Sequence, residues 1–381
     1  MKQRLFVTLS LAGLAMATFG ATKPKAAIKS LNKTTIQQPT YTEWHDLQVN
    51  AINRFPLHTN FFTYPADDWV SEKDGKIVSK DILHMNKTES KYFLSLDGTW
   101  KFNWVANADQ RPTDFYKEDL DDSNWKTMNV PGNWEMNGFG DPEYVNNGFA
   151  WREHFNEQPP AVPTKDNHVG SYRRIIDIPA NWDGKQIVAH FGSVTSNIYL
   201  YVNGKFAGYA EDSKVAAEFD ITPYLKKGKN LIAFQTFRWC DGSWDEDQDF
   251  WRLSGVARES YLFARDAKLH LEDIRVTPDL VNNYKDGVLN ISAKVKGTGK
   301  LNFILFDKEG KQVATATGLA KNGIANITMN VENPHKWNAE TPYLYTLQVS
   351  LSSALKNGNM KSASMTPVKV GFRKVEIKNK Q

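Results

Sequence analysis

Cysteine is almost absent from this chain of 381 residues, in which Cys240 is the only one. A single thiol cannot form an intramolecular disulfide, and it cannot supply the paired cysteines of a structural zinc site. An excess of one charge is also lacking, because 47 Lys and Arg oppose 43 Asp and Glu, and the net charge of +4 is spread without a basic run. This balance excludes the basic patch of a nucleic-acid-binding surface. We therefore expect no nucleic-acid partner.

Long hydrophobic runs are equally scarce, and the most apolar segment lies at the amino terminus. Leu5–Phe19 carries no charge, follows the basic Met1–Arg4 and precedes the small residues Gly20 and Ala21. This order is typical of a secretory signal peptide, here residues 1–21. The run is shorter than the roughly 20 residues of a membrane span. We expect a protein that is secreted or periplasmic and has no membrane span.

Helical periodicity is absent over any length greater than a few turns, whereas strand patterns are frequent. The strongest local signal is the pair Ile198–Val202 and Lys205–Tyr209, separated by Asn203-Gly204. Asn-Gly adopts positive φ readily and closes two-residue β-hairpins. Leu231–Phe237 is apolar at nearly every position, which predicts a strand covered on both faces. These patterns predict an all-β fold.

A second group of strands begins near Lys268. Ile327, Met329 and Val331 alternate with polar residues, and the same period recurs after Thr341-Pro342. Short strands separated by turn residues over about a hundred residues favour an immunoglobulin-like β-sandwich.

Carboxylates are concentrated in one segment, residues 239–252. Five of them occur within nine residues, and three tryptophans flank them. The segment could be a Ca²⁺ loop, a catalytic carboxylate cluster or a buried network tied to Arg238, Arg252 and Arg258. Its spacing does not match an EF-hand loop. We therefore favour the buried network.

Tryptophan is the one residue type in unusual supply, with 12 in the chain. Such residues fill the cores of β-sandwiches, and they also stack on sugar rings. Asp212, in the polar stretch after the predicted hairpin, could bind a metal or a hydroxyl group. It could equally cap a turn.

Several motifs resemble, in order, landmarks of a single family: Leu96–Phe102, Val130–Trp134, Tyr144–Asn146, Gly170–Tyr172, Asn203–Lys205, Gly208–Ser213, Glu218–Asp220, Arg238–Ser243, Glu246–Asp249, Trp251–Gly255, Val331–Pro334 and Val370–Arg373. Together they are similar to the amino-terminal portion of the large β-galactosidases of glycoside hydrolase family 2. The resemblance extends from about Tyr41 to Lys378, and the order of the motifs makes chance agreement implausible.

The resemblance implies a domain order. In this family a jelly-roll sugar-binding domain and an immunoglobulin-like domain precede a catalytic (β/α)₈ barrel. The expected parts are an extended segment on the surface over residues 22–88, a jelly roll over 89–266, an immunoglobulin-like sandwich over 267–373 and a truncated junction to the barrel over 374–381. A barrel takes about 250 residues, and the sequence does not contain them.

The resemblance also implies a reaction and ligands. Family members hydrolyse glycosidic bonds with retention, using two glutamates of the barrel, so we expect this chain alone to be inactive and assign it no catalytic residue. Asp212 matches an aspartate that binds galactose hydroxyls and Na⁺, and Asn146 matches an asparagine near the same sugar. Mg²⁺ is a cofactor of full-length members. The expected partners are a galactoside substrate and either the missing barrel or further copies of the chain.

Three interpretations remain open at this point. The favoured one is the non-catalytic part of a secreted β-galactosidase that degrades terminal β-D-galactosides. The alternatives are a stand-alone carbohydrate-binding module and a docking subunit for a separate catalytic chain. A binding module would need an exposed aromatic platform, for which Trp239, Trp244 and Trp251 are the candidates.

Overall fold

The computed structural model describes residues 38–73, 76–79, 81–146, 151, 155–156, 158–246, 248–320, 322–354 and 360–378. The predicted signal peptide lies outside these residues. The strands that precede the first sandwich are β1 Ala51–Ile52, β2 Tyr64–Pro65, β3 Val70–Lys73 and β4 Lys76–Ser79. Those of the first sandwich and its loops are β5 Phe93–Ser95, β6 Gly98–Val105, β7 Lys126–Val130, β8 Gly132–Asn133, β9 Glu143–Val145, β10 Val169–Ile178, β11 Lys185–Phe191, β12 Val194–Thr195, β13 Asn197–Val202, β14 Lys205–Glu211, β15 Ala217–Asp220, β16 Gly228–Phe237, β17 Phe250–Arg252, β18 Gly255–Val256 and β19 Ser260–Asp266. Those of the second sandwich are β20 His270–Val281, β21 Asp286–Lys296, β22 Lys300–Phe306, β23 Gln312–Leu319, β24 Ile324–Val331, β25 Tyr345–Ala354 and β26 Met360–Val370.

Helices are short throughout the described residues. The single α-helix, α1, is Ala66–Trp69, and the 3₁₀ turns are Glu43–His45, Ile82–His84, Lys87–Glu89, Ala108–Gln110, Glu135–Asn137, Ala180–Trp182, Thr222–Tyr224 and Asp241–Asp245. None of these helices is long and apolar enough to cross a bilayer. The all-β fold is confirmed, and the described residues contain no (β/α)₈ barrel.

The first sandwich is the predicted jelly roll. A seven-stranded sheet in the order β1-β14-β13-β16-β10-β6-β7 and a four-stranded sheet in the order β15-β11-β19-β5 enclose one hydrophobic core. Trp100, Phe102, Tyr172 and Phe234 fill it from the large sheet. Because side chains alternate along a strand, the same strands also have an outer face that must be covered or polar.

The hairpin at Asn203-Gly204 is confirmed. β13 and β14 pair antiparallel, and the two turn residues have φ of 49° and 76°. These left-handed conformations are the ones that Asn and Gly adopt at low cost. The hairpin ends at Glu211 and so presents the next residue, Asp212, at the edge of the sheet.

The prediction that β16 is covered on both faces is also confirmed. Ile232 and Phe234 belong to the core between the two sheets, whereas Ala233 and Phe237 belong to a second cluster on the outer face. Trp44 of the amino-terminal segment is buried in that second cluster and stacks on Phe237, with ring centroids 5.0 Å apart.

The segment before the jelly roll, expected to be extended over residues 22–88, is described from Gln38 onward. Its strand β1 pairs with β14 of the jelly roll, and its strand β2 pairs with β26 of the second sandwich. Trp44, Ile52 and Tyr64 are buried. The segment shows no hydrophobic period because each short piece pairs with a different sheet.

The second sandwich packs the sheet β2-β26-β25-β22-β23 against the sheet β20-β21-β24. The predicted alternation in β24 is confirmed, since Met329 and Val331 are buried while Thr328 and Asn330 are exposed. The second sandwich, expected to be immunoglobulin-like, thus has a closed hydrophobic core of its own.

Packing around Gly170 provides a test of the jelly-roll core. A Cβ atom at this position would lie 2.4 Å from Trp134 Cζ2 and 2.8 Å from Phe102 Cε2. Overpacking of this kind costs about 1–3 kcal/mol. We expect Gly170→Ala to lower the free energy of unfolding by that amount in urea denaturation followed by tryptophan fluorescence. Thr127→Ala, on the exposed side of β7, is the control and should change it by less than about 0.5 kcal/mol.

Candidate functional site

The end of the hairpin and the carboxylate-rich segment border one acidic cavity. Its volume is 520 Å³, and it lies where β14 ends, beside Cys240–Phe250. The charged side chains that line it are Asp46, Glu211, Asp212, Lys214, Asp241, Asp245 and Glu246. Six carboxylates thus face a single ammonium group in this cavity. We call it the acidic cavity.

Asp212 lies at the mouth of the acidic cavity, and its side chain is 46% exposed. Its φ is 92°, a left-handed conformation that Asp tolerates better than most residues. Arg54 donates from Nη1 to Asp212 Oδ2 at 2.5 Å and to the carbonyl oxygen of Glu211 at 3.4 Å. The backbone carbonyl of Asp212 also accepts from the N–H of Val215 at 2.8 Å. The carboxylate thus points to the cavity while the backbone makes the turn.

Glu211, the preceding residue, is buried in the wall of the acidic cavity. The hydroxyl of Tyr209 donates to its Oε1 at 2.5 Å. A Cβ atom on Gly242 would lie 3.1 Å from Glu211 Oε2, so the glycine leaves room for this carboxyl group. Burial raises the pKa of Glu211 to about 9, and the neighbouring Asp241 adds to the effect. Glu211 is therefore a neutral acid at physiological pH.

Cys240 and Asp241 complete a buried cluster with Glu211. The ligand atoms of the three residues lie within 4.8 Å of one another, an arrangement that could hold a metal ion. Burial, followed by the proximity of Glu211, raises the pKa of the Cys240 thiol well above its usual value. Burial thus favours the neutral forms of both the Cys240 thiol and the Glu211 carboxyl group.

Asn146, the other predicted site residue, is not brought to the acidic cavity. It is exposed and directly follows β9, which pairs with β17 in a two-stranded ribbon. Within this ribbon Val145 lies opposite Phe250, and Phe250 is one of the residues that line the cavity. Asn146 thus follows a strand that borders the acidic cavity, but it is not among the residues that line the cavity.

The predicted ionic network of the carboxylate-rich segment is incorrect for the described residues. Arg238 pairs with Glu143, which lies outside the segment. Arg252 donates to the carbonyl of Gln248, and Arg258 donates to the carbonyl of Lys214. The carboxylates of the segment instead accept from hydroxyl and amide groups: Tyr144 donates to Asp249, Ser213 to Glu246 and the N–H of Gly242 to Asp241.

The three candidate tryptophans differ in exposure. Trp239 is buried, and Trp244 is partly buried with its indole N–H donating to the carbonyl of Ala161. Trp251 is 53% exposed and meets Tyr144, itself 54% exposed, edge to face at 5.5 Å. One exposed aromatic pair is therefore available on the β9–β17 ribbon.

A buried carboxylate anchors the segment that carries Arg54. Glu218 accepts from His190 Nδ1 at 2.8 Å and from His58 Nε2 at 2.9 Å. Burial acts to raise the pKa of Glu218, but the hydrogen bonds from the two histidines outweigh it and lower the pKa to about 2. Glu218 also accepts the backbone N–H of Phe55 at its carbonyl. These contacts hold Arg54 in place beside Asp212.

Neither Glu211 nor Arg54 was predicted from the sequence to be part of this site. Glu211 could have been found because it directly precedes Asp212, and neighbouring side chains at the end of a strand point in opposite directions. Arg54 had no such signal, because 157 residues of chain separate it from Glu211.

Family profiles match most of the described chain. The profile described as the sugar binding domain of glycosyl hydrolases family 2 matches residues 93–266, and that of glycosyl hydrolases family 2 matches residues 269–373. The chain belongs to glycoside hydrolase family 2. The resemblance found from the motifs is thereby confirmed.

The similar curated proteins in this family are β-galactosidases. The chain is 36% identical over 352 residues to a β-galactosidase of Priestia megaterium, and the match covers 89% of this chain and 32% of that protein. It is 32% identical to a β-galactosidase large subunit of Leuconostoc lactis, and this match covers 88% of the chain and 52% of the subunit. The chain thus spans about a third to a half of the length of these relatives.

Solved structures of two other glycosidases have the same fold over part of their length. A Bifidobacterium dentium β-glucuronidase superposes with a TM-score of 0.60 at 18% identity, over 75% of this chain and 49% of that one. A Bacteroides vulgatus β-glycosidase superposes with a TM-score of 0.57 at 22% identity, over 75% of this chain and 34% of that one. At these identities the similarity supports the fold alone.

The raised pKa of Glu211 makes stability depend on pH in a defined direction. In the unfolded chain this carboxyl group loses its proton near pH 4.5, whereas in the folded chain it keeps the proton to about pH 9. Between these values unfolding releases a proton, so its contribution to stability falls as pH rises. We expect Glu211→Gln to be more stable than the unmodified protein at pH 8 by roughly 1–3 kcal/mol, and the difference to shrink toward pH 5.

Urea denaturation at pH 5, 6.5 and 8 measures this difference. Asp245→Asn, an exposed carboxylate of the same cavity, is the control and should show no such trend. A Glu211→Gln protein that is equally destabilised at all three pH values would contradict the assignment of a protonated Glu211.

Proposed function

We propose that this chain is the non-catalytic, sugar-contacting part of a secreted or periplasmic β-galactosidase. In this proposal the hydrolysis of terminal β-D-galactosides takes place on a catalytic barrel, and the jelly roll supplies polar groups to the edge of that site. The observation that carries the proposal is the joint match of both sandwiches to family 2, with β-galactosidases as the similar curated proteins. Export is proposed from the signal-peptide pattern of residues 1–21.

The acidic cavity supports the assignment of Asp212 as a group that contacts a sugar. Carboxylate oxygens accept strongly from hydroxyl groups, and those of Asp212 are accessible from the cavity mouth. Arg54 holds one of the two oxygens, Oδ2, and so orients the carboxylate while leaving Oδ1 for a ligand. Asn146 remains a proposed contact that would approach from the β9–β17 ribbon.

A sodium ion at Asp212 fits only in part. A hard cation takes oxygen ligands, and the free Oδ1 is such a ligand, but the positive charge of Arg54 lies 2.5 Å from Oδ2. One accessible oxygen next to a guanidinium group is a weak cation site. We propose that Na⁺ binds at Asp212 only when further oxygen ligands come from another part of the enzyme. Mg²⁺ is proposed as a cofactor of the full-length enzyme only and is assigned to no residue of this chain.

The curated relatives named large subunits motivate the docking alternative. Proteins of that name occur in Leuconostoc lactis and Lactobacillus helveticus, and the chain covers 52% of each. A partner polypeptide, or a further copy of the chain, would complete the site in that case.

The exposed pair Tyr144 and Trp251 favours a second function, that of a carbohydrate-binding module. Aromatic rings stack on the apolar faces of sugars, and both rings are more than half exposed. The edge-to-face arrangement offers one flat face at a time, which suits a single sugar residue better than a long chain.

The first prediction for this proposal concerns catalysis. We expect the purified chain to give no hydrolysis of a chromogenic β-galactoside above the buffer rate, because the catalytic glutamates of the family lie in the barrel. The measurement is release of the chromophore over hours at micromolar protein. A full-length β-galactosidase in the same buffer is the control. Turnover well above background would mean that the described β domains contain a catalytic carboxylate pair, and it would refute the proposal.

The second prediction concerns binding. We expect Asp212→Asn to weaken galactose binding at least about tenfold, since hydrogen bonds to a charged acceptor contribute about 1.5–3 kcal/mol. Asp245→Asn is the matched control on the same cavity and should bind as the unmodified chain does. Ligand-observed NMR with galactose measures both. Equal affinities of the two variants would remove Asp212 from the sugar site, whereas a loss confined to Trp251→Ala would favour the binding module.

A further inference from the structure

A second, much smaller cavity lies directly behind the acidic cavity. Its volume is 20 Å³, which is room for one water-sized species. The two cavities share Lys214, Glu246 and Phe250. The polar side chains that line the small cavity are Thr195, Lys214, Arg238, Ser243, Glu246, Arg252 and Ser254. We call it the cationic cavity, because three of these side chains are basic and one is acidic.

Arg252 has more donors than the described residues can satisfy. It is 7% exposed, and its Nη2 donates to the carbonyl of Gln248 at 3.0 Å. Its Nε and Nη1 are buried and have no acceptor. Leaving a buried donor of a charged group unsatisfied is costly. An acceptor inside the cavity would therefore stabilise the guanidinium group of Arg252.

Arg238, which also lines the cationic cavity, likewise has a buried donor without an acceptor. It is 8% exposed, its Nη2 donates to Glu143 Oε2 at 3.0 Å and its Nη1 lies 3.4 Å from His168 Nδ1. Its Nε is buried and has no acceptor. Arg252 of β17 and Arg238, which directly follows β16, thus both line one cavity and together have three buried nitrogen donors without an acceptor.

The basic side chains of the cationic cavity have acidic neighbours. Glu246 is the only carboxylate among the lining residues, and it already accepts from the hydroxyl of Ser213. Just outside the lining, Glu143 pairs with Arg238 and Glu135 accepts from the backbone N–H of Ser254. The ammonium group of Lys214 donates to Thr195 Oγ1 at 3.0 Å. Its pKa is lowered first by desolvation, with Glu246 and Glu135 opposing the shift and Arg252 and Arg258 adding to it.

We propose that the cationic cavity binds a single monatomic anion, a halide such as chloride. Guanidinium groups only donate, so the occupant must accept hydrogen bonds. A water molecule accepts two hydrogen bonds, whereas a halide ion accepts from all three donors. The volume of 20 Å³ suits an occupant of about the size of a water molecule or a halide ion.

A bound halide would tie the β9–β17 ribbon to the large sheet. Arg252 belongs to β17, Arg238 follows directly on β16, and both would contact the same ion. Glu246 and Phe250 line both cavities, so the ion supports the wall of the acidic cavity from behind. Halide binding is then a stability requirement of this wall, and it does not depend on whether the chain binds galactose.

Thermal unfolding of the full chain at matched ionic strength tests the proposal. We expect sodium chloride and sodium bromide to raise the unfolding midpoint in a saturable way by about 2–4 °C over sodium gluconate, as a ligand specific for the folded state does. An equal midpoint in all three salts would contradict halide binding. A rise that grows linearly with salt concentration and does not saturate would also contradict it.

Variants separate this site from a general salt effect. Arg252→Gln should lose the difference between bromide and gluconate, whereas Arg258→Gln should keep it, because Arg258 is exposed and lies outside the lining. A crystal of the unmodified protein grown in bromide gives a readout that needs no variant. We expect an anomalous bromide peak between Arg238 and Arg252. Ordered water without anomalous signal at that position would overturn the proposal.

Discussion

The structure depends on the need to cover strand β16 on both faces. One face of this strand lies in the jelly-roll core and the other presents Ala233 and Phe237 outward, where apolar side chains would otherwise meet water. The amino-terminal segment supplies the cover by placing Trp44 on Phe237 and β1 on β14. Once the segment is fixed there, Arg54 reaches Asp212. The shape of the candidate site thus follows from a packing requirement some distance away.

Three carboxylates in and around the site are stabilised in three different ways. Glu211 keeps a proton because it is buried, Asp212 pairs with Arg54, and Glu218, outside the cavity, remains ionised because two histidines donate hydrogen bonds to it. Each solution suits the solvent exposure of its carboxylate, because an exposed group can remain charged while a buried one needs a partner or a proton. The acidic cavity therefore carries less charge than its six carboxylates suggest.

Membership in glycoside hydrolase family 2 gives these features a context. The sandwich that matches the family's sugar binding domain carries polar acceptors where β14 ends. The acidic cavity faces outward and the cationic cavity backs it, so the same segment, residues 239–252, contributes to both. The segment is a wall between the two cavities. Its carboxylates and tryptophans are abundant because one side of this wall is rigid and the other side is accessible.

Local chemistry determined what the sequence alone could predict. The hairpin at Asn203-Gly204, the doubly covered β16, the alternation of β24 and the all-β class depend on turn preferences and side-chain period, which act over a few residues. The ordered motifs likewise revealed the family and drew attention to Asp212.

Only the tertiary structure decided how distant residues meet. Arg54 pairs with Asp212 and His58 hydrogen-bonds Glu218, and each pair joins residues about 160 positions apart. The hydrophobic period of a sequence does not predict such contacts. The same is true of the arginines, which were expected to pair with the carboxylates of residues 239–252. Arg238 pairs with Glu143 instead, and Arg252 keeps two unsatisfied nitrogen donors. A charge in a sequence shows that a partner is needed, but which group becomes the partner depends on the distances that folding creates.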